Sequence, residues 1–226
     1  GSMLLVAWIG TFAAAWGIYV LGKHFHGRGA GLFLVAIWGL MPNGLAQVLP
    51  YTEGIIVACC AWGLYALLTD RPVLAGVLAM MAGLTRTPAV TLIVTVVATC
   101  VVLYVRSRRR GAPDGRLLAA AAIAPASFVG FLAFVAVRTG NLTGYLDVQE
   151  TWGTTIGSPI DTWRVIYDVL FGSVDERVRV FAVVVAITII AYVVLFLRTV
   201  PEREYWLLSV FCGLVILLTL STEGFF

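Results

Sequence analysis

The sequence predicts an all-α, polytopic integral membrane protein, and three observations carry that prediction. Hydrophobic residues fill 61% of the 226 positions and charged residues only 12%, against roughly half and about a quarter in soluble domains. The apolar residues fall in blocks of about 15 to 22, and about 20 helical residues cross a hydrocarbon core of about 30 Å. The blocks lack the period-two alternation of a membrane barrel, and backbone in lipid must satisfy its own hydrogen bonds, so each block reads as a helix.

The first run, residues 3–21, ends in a basic segment at 22–28 that holds Lys23, His24, His26 and Arg28. The second, 31–41, is broken by Pro42, Asn43 and Gly44 before 45–49 continues it; interrupted helices survive in lipid where protein or a cavity receives the freed backbone groups. Pro50-Tyr51-Thr52-Glu53 then opens an apolar run to Leu68, Asp70-Arg71-Pro72 makes a turn, and a further run to Leu84 leads into Thr85-Arg86-Thr87-Pro88. So short a turn forces the two helices antiparallel, which brings Glu53 and Arg86 to one end.

Residues 90–105 form a β-branched run that ends in Arg106, Arg108, Arg109 and Arg110, and 111–115 is a turn-rich loop. The run 117–137 contains Pro125, a predicted kink. Residues 138–179 are the long polar segment, in which 162–171 places Trp163, Ile166, Tyr167 and Leu170 on one face, the pattern of an interfacial helix. Runs at 180–197 and 205–220 complete about eight passes in a single transmembrane domain, 1–226.

Loop charge orients these passes, because successive loops alternate sides and basic residues collect in the cytoplasm. One set of loops, 23–28, 70–71, 106–116 and 198–204, carries ten basic and four acidic residues; the other carries five basic and eight acidic. The first set is expected to be cytoplasmic. Glu53, Arg86, the 138–179 segment and Glu223 are then extracytoplasmic.

Several chemistries find no support. Cys59, Cys60, Cys100 and Cys212 all lie in apolar runs, where a thiol acts as a small hydrophobe, so neither a disulfide nor a metal site is expected. His24 and His26 have no further ligand nearby. The chain has no Walker loop and no Rossmann glycine pattern, and neither a cofactor nor a nucleic-acid partner is expected.

Two stretches carry candidate chemistry. Arg86 stands at an end otherwise poor in cations and needs an anionic partner. An ion pair with Glu53 that pins the hairpin meets that need, as does a phosphate, whose oxygens a guanidinium binds bidentately; both can hold together. In 145–153, Asp147, Gln149, Glu150 and Trp152 combine carboxylates, an amide and an aromatic. Such a set grips sugar hydroxyls and stacks on a ring, although a solvated loop with an interfacial tryptophan has the same composition.

Tyr51-Thr52-Glu53 at one helix start, Gly83-Leu84-Thr85-Arg86 at the end of the next, and Val148-Gln149-Glu150-Thr151-Trp152-Gly153 together resemble the PIG-V-type mannosyltransferases, in particular their bacterial relatives. Thr87-Pro88-Ala89 departs from the family's Pro-Thr-Gly order. The resemblance implies a GT-C fold and a glycosyltransferase of the bacterial cytoplasmic membrane. Such an enzyme moves a sugar from a polyprenyl-phosphate donor to a hydroxyl on a lipid or glycan acceptor at the extracytoplasmic face. It further implies Arg86, Glu53 and Tyr51 at the donor phosphate and Asp147, Gln149, Glu150 and Trp152 at sugar or acceptor. The family's catalytic aspartate, near a Trp-Asp-x-x-Trp/Tyr pattern in the first outer loop, has no match here, nor has its C-terminal Pro-Arg-Tyr/Phe-like segment. With the start Gly1-Ser2-Met3 and the abrupt end at Phe226, the expectation is a fragment whose catalytic base is unidentified. The alternative from another class is a non-catalytic membrane scaffold, lipid flippase or transporter subunit.

Overall fold

The computed structural model describes residues 2–40, 52–85, 87–141 and 143–145, and beyond them 155–156, 167, 187, 190, 194, 206–207, 210–215 and 222–223. The chain divides into two units, Gly1–Phe131 and Leu132–Phe226. The described residues are helical but for turns and one two-residue ladder. Among the described residues, three helices are long and apolar enough to cross a membrane: Met3–Leu40, Val90–Arg109 and Gly115–Thr139. Glu53–Leu68 and Pro72–Gly83 are shorter apolar helices.

The first of these long helices is bent back on itself. Helix α1 (Ser2–Leu40) has non-helical backbone at His26 and at Gly27, whose φ is 81°, a value that favours glycine. Gly22 and Gly31 would lie about 13 Å apart along a straight helix. Instead, a Cβ on Gly22 would stand 2.8 Å from Gly31 Cα, and one on Gly31 would stand 2.6 Å from the Tyr19 carbonyl oxygen. Residues 2–25 therefore run out and 28–40 return, with glycines where the backbones touch. The return arm is about 20 Å long, which explains why the sequence reads it as a weak span.

Helix α2 (Glu53–Leu68) lies along the outgoing arm of α1. Gly54 meets Gly10 and Thr11, Gly17 meets Ala61, and the His24 ring meets that of Tyr65 at 5.9 Å. The pairs ascend together, so the two helices are parallel. Small residues at the crossings permit this approach, and Trp62 Nε1 donates to the Ala13 carbonyl at 3.0 Å across it.

Helix α2 stops at a Schellman motif. Asp70 adopts φ 54°, Arg71 N–H donates to Ala66 O at 2.8 Å and Asp70 N–H to Leu67 O at 3.4 Å. Asp is among the few non-glycine residues found in the left-handed region. Pro72 then occupies the first turn of α3 (Pro72–Gly83), where its missing N–H costs nothing. Gly63 faces the Leu78 Cβ at 3.8 Å, so α2 and α3 form the antiparallel hairpin that the spacing predicts.

A 3-10 turn, Thr87–Ala89, leads into α4 (Val90–Arg109). Its inner face carries Leu92, Val96 and Cys100 together with Thr91, Thr95 and Thr99, all buried. Helix α4 ends on Gly111 (φ 77°) in a second Schellman motif, with Ala112 N–H on Ser107 O at 3.1 Å and Gly111 N–H on Arg108 O at 3.0 Å. Asp114 then caps α5 (Gly115–Ile123), accepting from Arg116 N–H at 3.0 Å. The chain breaks at Ala124 and Pro125 before α6 (Ala126–Thr139), as the proline requires. Gly76 abuts the Ala120 backbone, Gly83 lies against Ser127, and Ser127 Oγ donates to Met80 O at 2.6 Å. The α5 to α6 path therefore runs parallel to α3.

In the second unit, Asn141 Oδ1 accepts from Thr143 N–H at 3.0 Å in a turn after Gly140. Strand β1 (Thr155–Ile156) pairs antiparallel with β2 (Thr222–Glu223), a small addition to an otherwise helical protein. Ile187, Ile190 and Val194 are helical and exposed. The proposed interfacial helix 162–171 lies outside the described residues except for Tyr167, which is helical and 58% exposed.

Candidate functional site

Within the first unit the alternating helix directions collect three turns at one end. These are His26–Gly27, Asp70–Arg71 and Arg110–Asp114, and with them the cations of 23–28 and 106–116. Two contacts support the grouping: His24 stacks edge-on against Tyr65, and Gly76, near the start of α3, abuts Ala120, near the start of the α5 to α6 path. The opposite end holds Thr52 and the start of α2, the end of α3 at Leu84 and Thr85, and the turn Thr87–Ala89.

At that opposite end, Glu53 is the described member of the predicted donor-phosphate set. It opens α2, where a carboxylate complements the helix dipole. The residue is half-buried and its Oε2 is shielded from solvent. From the Gly63–Leu78 contact, Glu53 rises about 15 Å along α2 and Thr85 about 10 Å along α3, so the two termini stand at similar heights. Thr85 Oγ1 donates to Ala82 O at 2.6 Å and Thr91 Oγ1 to Pro88 O at 2.8 Å, so these hydroxyls serve carbonyls at the end of α3 and the start of α4. Tyr51, Arg86, Asp147, Gln149, Glu150 and Trp152 lie outside the described residues. Among the described residues no group of three or more His, Cys, Asp or Glu side chains gathers where a metal could be held.

At the basic end, Asp114 and Arg116 make a forked ion pair. Arg116 Nε donates to Asp114 Oδ1 at 3.1 Å and Nη2 to Oδ2 at 3.0 Å. The hydrogen bond from the Arg116 side chain, then that from its backbone N–H, holds the Asp114 carboxyl below the ordinary 3.8.

The same end contains a cleft of about 490 Å³, lined by Trp16, Tyr19, Val20, Lys23, His24, Arg28 and Tyr65. Its aromatic lining holds two ring pairs: Trp16 lies 5.5 Å from Tyr19, and His24 lies 5.9 Å from Tyr65, which is backed by Trp62 at 6.0 Å. The sequence reading passed over this constellation. Its signal was the helical spacing of Trp16, Tyr19, Val20 and Lys23, which sets an aromatic and basic stripe on one face, but neither the return arm nor Tyr65 could be added from spacing.

Comparison with family models, with curated proteins and with solved structures finds no match for this chain.

Proposed function

We propose that this chain is the helical core of a GT-C-type glycosyltransferase of the bacterial cytoplasmic membrane, crossing it about eight times with its site on the extracytoplasmic side. It would take a sugar, by resemblance mannose, from a polyprenyl-phosphate donor and pass it to a lipid or glycan hydroxyl. Arg86 contacts the donor phosphate and stabilises charge on it as it departs. Glu53 orients that arginine, Tyr51 joins them at the donor phosphate, and Asp147, Gln149, Glu150 and Trp152 contact sugar or acceptor. A carboxylate base takes the proton of the attacking hydroxyl; no residue is assigned to that step.

The observation that carries the reading is that Glu53 and Thr85 both lie toward the end opposite the basic turns, about 15 and 10 Å from the Gly63–Leu78 contact. This is where the Tyr-Thr-Glu and Leu-Thr-Arg motifs must converge if they form one phosphate site. The pairing of Thr155–Ile156 with Thr222–Glu223 also supports the pass count, which puts both segments on the outer side. For a transporter reading the bundle offers Thr99 Oγ1, which is buried without a hydrogen-bond partner among the described residues, whereas Thr95 Oγ1 donates to Thr91 O and Ser127 Oγ to Met80 O. The latter two hydroxyls serve the backbone and not a polar path.

The test is sugar transfer from a synthetic polyprenyl-phosphate donor in membranes of cells that make the protein. Arg86→Ala is expected to lower transfer by about 100-fold or more at unchanged protein level, with Arg86→Lys keeping part of it. Undiminished turnover in Arg86→Ala sinks the assignment.

A further inference from the structure

The cleft between the arms of α1 and the end of α2 has no part in the transferase reading, and its chemistry is specific. Lys23 and Arg28 stand on either side of the His26–Gly27 turn, one on each arm, and both face the same opening. Neither makes an ion pair among the described residues. The two described carboxylates of this end do not line the opening, and Asp114 is held by Arg116 at 3.0 Å. Two basic side chains thus converge with no carboxylate among the lining residues.

We propose that this cleft binds the phosphate headgroup of an anionic membrane lipid. The inference rests on the helices crossing a membrane and not on the transferase reading. Lys23 and Arg28 meet the phosphate from two sides, and His24 and the Tyr19 and Tyr65 hydroxyls offer further hydrogen bonds. The volume suits a headgroup with its glycerol, and basic pockets between helices are where such headgroups settle.

A lipid, and not free phosphate, is the occupant because of where the cleft opens. Lys23 directly follows the apolar run 3–21, at the level where a bilayer changes from tails to phosphates. Tyr19 and Trp16 lie about 6 and 10 Å deeper along the same arm, and Trp16 is 61% exposed on a helix face that also presents Leu5, Ile9 and Phe12. The cleft is therefore continuous with a surface on which acyl chains lie, and aromatic rings of this kind gather at the membrane interface.

The experiment uses the full chain, purified and placed in nanodiscs of phosphatidylcholine with increasing phosphatidylglycerol. Native mass spectrometry should find phosphatidylglycerol retained by the wild type, and Lys23→Gln/Arg28→Gln should retain at least threefold less. Arg108→Gln/Arg109→Gln, outside the cleft, should retain as much as the wild type. Ten millimolar inorganic phosphate should leave retention unchanged, since a lipid is held by its chains as well. Equal loss in both double variants, or displacement by inorganic phosphate, overturns the proposal. A photo-reactive phosphatidylglycerol on the unaltered protein covers the case in which the first variant does not fold. Crosslinks within 16–28 or at Tyr65 support the site, and crosslinks confined to 106–116 overturn it.

Discussion

At the basic end of the helical unit, α2 and α4 each stop on a left-handed residue, Asp70 and Gly111, followed by a proline two positions on. At the opposite end, α3 stops on right-handed Leu84 (φ −80°) and enters a 3-10 turn flanked by threonine hydroxyls. The difference follows from the surroundings. A Schellman turn satisfies its carbonyls with its own N–H groups and leaves the rest to water, which suits a surface crowded with arginine. Helix α3 is only about 18 Å long, so if the basic turns lie at one membrane surface, its far end falls short of the other face of a core of about 30 Å. Backbone at that depth persists only where side chains or protein supply its partners, and Thr85 and Thr91 do so. A phosphate site at such a recess would be screened from bulk water, which strengthens every charge interaction made there.

The comparison breaks most readily at the helix crossings, which set the height of one end against the other. A Cβ on Gly76 would stand 2.8 Å from the Ala120 carbonyl oxygen, a backbone atom that cannot move without shifting α5. Gly76→Val should destabilise the protein by about 3 kcal/mol, the upper end of overpacking costs, read as a lowered unfolding midpoint in detergent. Gly130→Val, at a site open on all sides, should change it by under about 1 kcal/mol. Equal effects would mean that the crossing does not fix the relative heights of α3 and α5.

The basic end was the more legible in the sequence. Asp70-Arg71-Pro72 announces a tight turn by residue type alone, and Gly27 sits within the basic break of α1; away from that end, Pro125 marks the interruption between α5 and α6. These are local signals, each written in a few adjacent residues. The pairings of Gly10 with Gly54, Gly22 with Gly31 and Gly76 with Ala120 were not legible, because a glycine records that something comes close without recording what. The cleft was hidden for the same reason: Tyr65 joins Trp16 and Lys23 only once α1 and α2 are known to be parallel. Of the candidate site, only the helix-initiating place of Glu53 could be compared with its expectation, and β1 with β2 joins segments too far apart in the chain for any local pattern to connect.

A smaller effect sharpens the account of the turns themselves. Gly111→Val places a β-branched residue at φ 77°, at a cost of about 1 to 3 kcal/mol. Val at Ala112, which is exposed in the same loop, should cost about 0.5 kcal/mol or less. If both variants melt together, the left-handed stop is not what closes the α4 to α5 turn.

The smallest predicted effect concerns Asp114, and its sign is fixed by the geometry. The Arg116 side chain and backbone N–H favour the ionised carboxylate in the folded protein, so its folded-state value lies below the ordinary 3.8. A depressed acid contributes stability that is present above its unfolded value and is lost as pH falls through the folded one. Thermal unfolding from pH 6 to pH 4.5 should therefore be indifferent to this pair, and a difference between the wild type and Asp114→Asn should shrink only below about pH 4. Because both side chains face water, screening by salt should reduce that difference as well. A gap between the two proteins that persists unchanged to pH 2.5 would assign the role of Asp114 to its neutral hydrogen bonds as a helix cap, and not to its charge.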